Sequence, residues 1–170
     1  MRVGDLGRLA LIAVAAVLGA CSTLPGLGGQ DPIRISELVE QGDPARRASQ
    51  RLLVEGLEAD IAGAQARAKG RYERAIQIDP TNPYAYLTVA RFEVDRRNAD
   101  QARAFLDQTY ALFDAEGGMP PRVEAHFIGL ESAVAAIAGD RTAAARGFEQ
   151  ARRLAPGVWG DAYLTAEELL

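Results

Sequence analysis

Cys21 and His126 are the only cysteine and the only histidine in this 170-residue chain, and they bound the chemistry its side chains can do. A zinc site gathers several ligands from Cys, His and carboxylates. One residue of each type supplies no such set, so neither a metal nor a cofactor is expected. Nucleophilic catalysis of the Ser-His-Asp kind needs a base oriented by a third group, and His126 has no such partner at a recognisable spacing. The chain also lacks a G-x-S-x-G elbow and a Gly-rich phosphate loop. Carboxylates are plentiful, which keeps a cell-wall hydrolase with paired carboxylates as an alternative class. Abundance is weak support for it, because most such residues are solvated helix faces. The expectation is a protein that is not an enzyme, in which His126 either touches a ligand or sits on a helix surface.

Cys21 has a use that needs no partner. Arg2 and Arg8 precede the apolar run 9–18, and small residues Gly19 and Ala20 lead into Cys21, the layout of a secretory signal. The 12 residues from 9 to 20 fall short of the roughly 20 that a bilayer-spanning helix requires. Leu18-Gly19-Ala20-Cys21 resembles the lipobox of bacterial lipoproteins. That resemblance implies removal of residues 1–20, lipidation of Cys21 on sulfur and then on its amine, and membrane attachment through the acyl chains. A single chain binds a bilayer marginally and two or more bind it stably. Ser22, where an Asp would retain such a protein elsewhere, implies the periplasmic face of the outer membrane. Without residues 1–20 the chain keeps 17 of its 19 basic and 22 of its 23 acidic side chains, a net charge of −5. This acidity forms no basic stripe, so nucleic acid is not an expected partner.

The composition divides the remainder. Pro25, Gly26, Gly28 and Gly29 mark a flexible tether, placed with Cys21 in residues 21–42. Within it, residues 33–41 have the pattern of a short helix capped by Ser36. From residue 43 onward the apolar spacing is helical throughout, predicting an all-α repeat domain over 43–170. Asp43-Pro44 and Asn82-Pro83 are helix starts, in which the side chain caps open amides and proline presets the first turn. Gly63, Arg97-Asn98 and Gly139-Asp140 are the turns between paired helices.

Ala68, Tyr72, Ala75 and Pro80 recur as Ala144, Phe148, Ala151 and Pro156, with Ala102 and Leu106 in the same frame between them. This spacing and its 34-residue period resemble the tetratricopeptide repeat (TPR). The resemblance implies an α-solenoid of about three repeats plus a C-terminal capping helix, starting near Trp159. Its apolar Leu169-Leu170 end either packs on the third repeat or supports self-association as a structural spacer. Ala102 to Ala144 is 42 residues, eight more than the period, so an insertion sits in the region of residues 117–121, either a solvated turn or a contact lip.

The TPR frame also implies a partner-binding groove on the first helix of each repeat: Leu53 and Leu57, then Tyr84, Leu87, Arg91 and Val94, then His126, Gly129 and Ala133. This set suits an apolar peptide or amphipathic helix from a partner protein. The carboxylate clamp that chaperone-tail receptors carry at these positions is absent. A second explanation is that the segment before residue 43 folds back over the strip as core. The reading on this basis is a lipid-anchored TPR adaptor serving a periplasmic envelope assembly.

Overall fold

The structure, a computed structural model, describes residues 31–170. Cys21, the signal segment and the start of the tether lie outside the described residues. Three antiparallel helix pairs follow one another: α1 (Pro44–Ile61) with α2 (Gln65–Ile78), α3 (Pro83–Asp95) with α4 (Ala99–Ala115), and α5 (Pro121–Ile137) with α6 (Arg141–Leu154). Two one-turn helices close the chain, α7 (Pro156–Trp159) and α8 (Ala166–Leu169). No strand occurs among the described residues, and no described helix is long and apolar enough to cross a membrane.

The helix starts follow from local side chains. Asp43 accepts a hydrogen bond from the Arg46 amide at 2.8 Å, Asn82 from Tyr84 at 3.2 Å and Asp140 from Ala143 at 2.9 Å. Each satisfies a donor that the first turn leaves open. Within each pair, the turn needs one left-handed residue. Gly63, Arg97 and Gly139 supply it at φ 73°, 59° and 88°. Their spacing repeats the repeat spacing itself, and Arg97 takes a conformation that glycine adopts without a side-chain penalty.

Pairing depends on small residues facing large ones. A Cβ on Gly56 would fall far inside contact distance of the Tyr72 ring, so α1 and α2 come together only because residue 56 has no side chain. Tyr72 then meets Phe92 edge-on, centroids 5.5 Å apart, which ties the first pair to the second. Each first helix also packs on the preceding second helix, and α1, α3 and α5 contact in series, forming the inner, concave layer.

The eight extra residues between repeats two and three do not form a protruding loop. In the repeat frame α4 runs three residues past the end of α2, and α5 begins four residues before the counterpart of Pro83. The connection of residues 116–120 is thus only one residue longer than that of 79–82. The added turns are seated by Phe113 and Val123, both buried.

The domain begins earlier than residue 43. Ile33, Ile35 and Leu38 are buried, and residues 35–38 form a 3-10 turn, with no side-chain cap from Ser36. Arg122, on the added turn of α5, receives the Ile33 amide on its carbonyl at 2.9 Å and donates from its guanidinium to the Asp31 carbonyl at 2.8 Å. The insertion therefore builds the seat for this N-terminal strap. Arg46 is structural: it pairs with Asp79 at 2.5 Å and reaches Glu116 and the Thr81 carbonyl.

Candidate functional site

Helices α1, α3 and α5 bring all nine groove residues to the concave layer, but that layer is not an open groove. Leu53, Leu57, Leu87 and His126 are 0% exposed and Arg91 1%, Gly129 is buried, and Tyr84, Val94 and Ala133 are partly buried. Two segments of the same chain cover them. The strap lies on α1. The C-terminal segment also reaches it, with α8 against α1. The strap and the C-terminal segment meet where the Ser36 amide donates to the Leu170 carbonyl at 3.1 Å. The apolar strip is core for the physical reason that the strap and the C-terminal segment bring their own apolar residues, Ile33, Ile35, Leu38, Trp159, Leu164 and Leu169, to bury against it.

The C-terminal segment differs accordingly from the expected capping helix. It does not stack as a fourth first helix. Two short turns joined by an irregular stretch run back from the third repeat to the first. Leu169 is fully buried and Leu170 partly so, which leaves the self-association reading without an exposed Leu-Leu end. Thr165 and Glu168 form a reciprocal capping box that starts α8.

Trp159 anchors this segment in a notch made by Gly129. A Cβ at 129 would fall far inside contact distance of the Trp159 ring, while Phe148 and His126 flank the ring with centroids at 6.2 and 6.4 Å. Gly129→Ala is therefore expected to expel the indole. Overpacking costs about 1–3 kcal/mol, offset in part by a helix-propensity gain of up to about 1 kcal/mol. Trp159 is the only tryptophan, so a red-shifted emission with helicity retained reports the ejection directly.

His126 is neither a surface residue nor a free ligand contact. Its Nε2 donates to the Ile33 carbonyl at 3.0 Å, which leaves Nδ1 without a proton and, buried, without a partner. Burial lowers its pKa to about 4 against a partial opposing effect of the Ile33 bond. The unfolded chain takes up this proton near pH 6.5 and the folded chain only near 4, so stability should fall as pH drops through that window. The slope reaches about 1.4 kcal/mol per pH unit, on the order of 3 kcal/mol in total. Urea midpoints of the native chain minus those of His126→Gln, from pH 7 to 4, should show the loss. A flat difference would mean that His126 is solvated.

Arg91 closes the other end of the concave layer. It is ion-paired to Asp60 of α1 and, at 2.5 Å, to Asp95 of its own helix. Burial pulls the guanidinium pKa down, but Asp95 and Asp60 outweigh this and raise it, so Arg91 stays charged. Burial likewise raises Asp95, while Arg91 and Tyr163 pull the other way. Tyr163 donates to the second Asp95 oxygen at 2.9 Å, and its own pKa rises to about 12 through burial and that bond. Asp60 and Asp95, the carboxylates brought together here, are thus committed to a cation, unlike a hydrolytic pair that must bracket a substrate. Beside them is an open cleft of about 280 Å³, rimmed by the exposed Ile61 and Tyr163. Among the described residues, no group of three or more His, Cys, Asp or Glu could hold a metal ion.

The strap's place on α1 agrees with the fold-back alternative that the sequence left open beside an exposed groove. The return of Trp159, Leu164 and Leu169 to the first repeat had a fainter signal, a glycine at a groove position, where something must fill the space it leaves.

Residues 61–111 match the tetratricopeptide repeat family. No curated protein sequence matches the chain. Among solved structures, the fold is similar to the N-terminal domain of stress-induced protein-1 (STI-1) from C. elegans, at a TM-score of 0.55 and 15% identity, covering 75% of this chain and 98% of that one. The described chain is a TPR-like helical repeat array, with the family's sequence signature in residues 61–111 and two flanking segments seated on the concave face.

Proposed function

We propose that this protein is a lipid-anchored adaptor, held by acyl chains on Cys21 at the periplasmic face of the outer membrane, whose repeat array positions a partner protein within an envelope assembly. The observation that carries the reading is the concave face itself. Its first-helix residues accommodate two segments with little regular structure, one from each flank, so this surface has the shape and apolar character needed to take up peptide-like chain. Confinement at a membrane raises the local concentration of that surface beside membrane-bound partners, so a modest affinity suffices.

Photo-crosslinking in cells from Ile61, on the exposed rim of the cleft, should trap a specific protein, whereas the outward-facing Arg103 should not. Cys21→Ser should release the protein from the membrane fraction. Adducts of equal composition at both positions would remove the assignment of the concave side, and persistence of Cys21→Ser in the membrane fraction would remove the anchor.

A further inference from the structure

We propose that residues 156–170 are a built-in stand-in for a partner segment, which the concave face exchanges for a chain of the same anchor chemistry. That chemistry is an aromatic ring followed by leucine-type residues five and ten positions later, as Trp159, Leu164 and Leu169 are arranged here. The proposal rests on the concave-face reading above and specifies what that face recognises.

The seat is specific. Gly129 leaves a notch on α5 that a side chain at that position would close, and the Trp159 ring fills it. Leu164 and Leu169 are 2% and 0% exposed, and α8 lies on α1, the helix that carries Leu53 and Leu57. The native occupant therefore reads out the binding preference of the surface.

The segment is also held in a way that permits release. Its regular structure amounts to two four-residue turns, and helices this short do not persist without their packing. Ala162, between them, takes φ 63°, a left-handed conformation that costs a residue with a side chain about 1–2 kcal/mol. Three hydrogen bonds at two points tie it to other elements, one from Tyr163 to Asp95 and two from the Ser36 amide and hydroxyl to the Leu170 carbonyl. Segments with so few ties open at lower free energy than the helix pairs beneath them.

The fit leaves polar groups unanswered. The Trp159 indole N–H and the His126 Nδ1 lone pair are both buried without a hydrogen-bond partner, although one is a donor and the other an acceptor. Unsatisfied buried groups weaken the self-contact. A competing segment that brings a hydroxyl or amide donor to His126 beside its ring would make a bond that the resident segment does not.

The experiment uses the full chain and a fluorescent synthetic peptide of residues 156–170. In the native protein the resident segment competes at an effective concentration on the order of mM, so the peptide should bind weakly. Trp159→Ala removes the resident anchor. The peptide should then bind at least about ten-fold more tightly, raise the melting temperature of the variant, and lower hydrogen exchange along α1 and α5. A peptide whose own tryptophan is alanine should do none of these. Tyr163→Phe, which removes only the Asp95 tie, serves if Trp159→Ala does not fold, and should tighten binding several-fold. No binding to either variant at about 1 mM peptide, or binding indifferent to the peptide's tryptophan, overturns the proposal. Concentration-dependent dimers of the native chain with exchanged segments would assign the seat to a second copy and also overturn it. Either failure leaves the crosslinking result at Ile61 standing, because that position lies outside the covered strip.

Discussion

Arg91→Ala is expected to lower the unfolding free energy by about 3–5 kcal/mol, read from urea midpoints at neutral pH. The guanidinium is fully buried, while its partners Asp60 and Asp95 keep 11% and 23% of their side-chain exposure. Deleting the cation leaves two neighbouring carboxylates facing each other in a poorly solvated site, and their desolvation is no longer offset. The pair does not need to be strongly stabilising for this to hold. The cost arises from the charges left behind, so Arg91→Met combined with Asp60→Leu should recover much of the loss. A single-variant cost below about 1 kcal/mol would show that water reaches the site and screens it.

Trp159→Ala is expected to cost a similar amount, about 3–5 kcal/mol, by a different route. The indole is 1% exposed and packs against α5 and Phe148, and its removal leaves a cavity that the rigid helix pair beneath cannot collapse to fill. Because the ring holds the C-terminal segment, part of the loss should appear as local opening. Hydrogen exchange at residues 160–170 should rise well before that of α4, the second helix of the middle repeat. Uniform acceleration across all helices would mean that the segment and the repeats unfold as one unit.

How far the fold was legible follows from where each signal resides. Helix pairs, capped starts and the Ala-aromatic-Ala contacts are written in residues a few positions apart, and the Gly56–Tyr72 contact joins neighbouring helices of one repeat. Those elements lie where the pattern placed them. The residues expected to line a groove sit on first helices, as their spacing requires, yet their burial depends on partners far away in the chain. His126 meets Ile33 across 93 positions and Ser36 meets Leu170 across 134. No local periodicity encodes such contacts, so the short apolar pattern of residues 33–41 fits a helix within a tether and a strap folded over the strip equally well. The insertion was visible as a count but not as a shape, since lengthening two helices and lengthening one loop give the same count.

The point at which the strap enters the fold has a mechanical consequence. A load applied to the chain on the N-terminal side of residue 31 would not reach α1 first. It would act at Arg122 on α5, where the Ile33 amide is bonded, and next at Ser36, where the strap holds the Leu170 carbonyl. These bonds can part in sequence, as in unzipping, while the helix pairs bear the load only after the strap has peeled away. Tension on that end would thus peel the strap from α1 before it loaded the repeat array beneath.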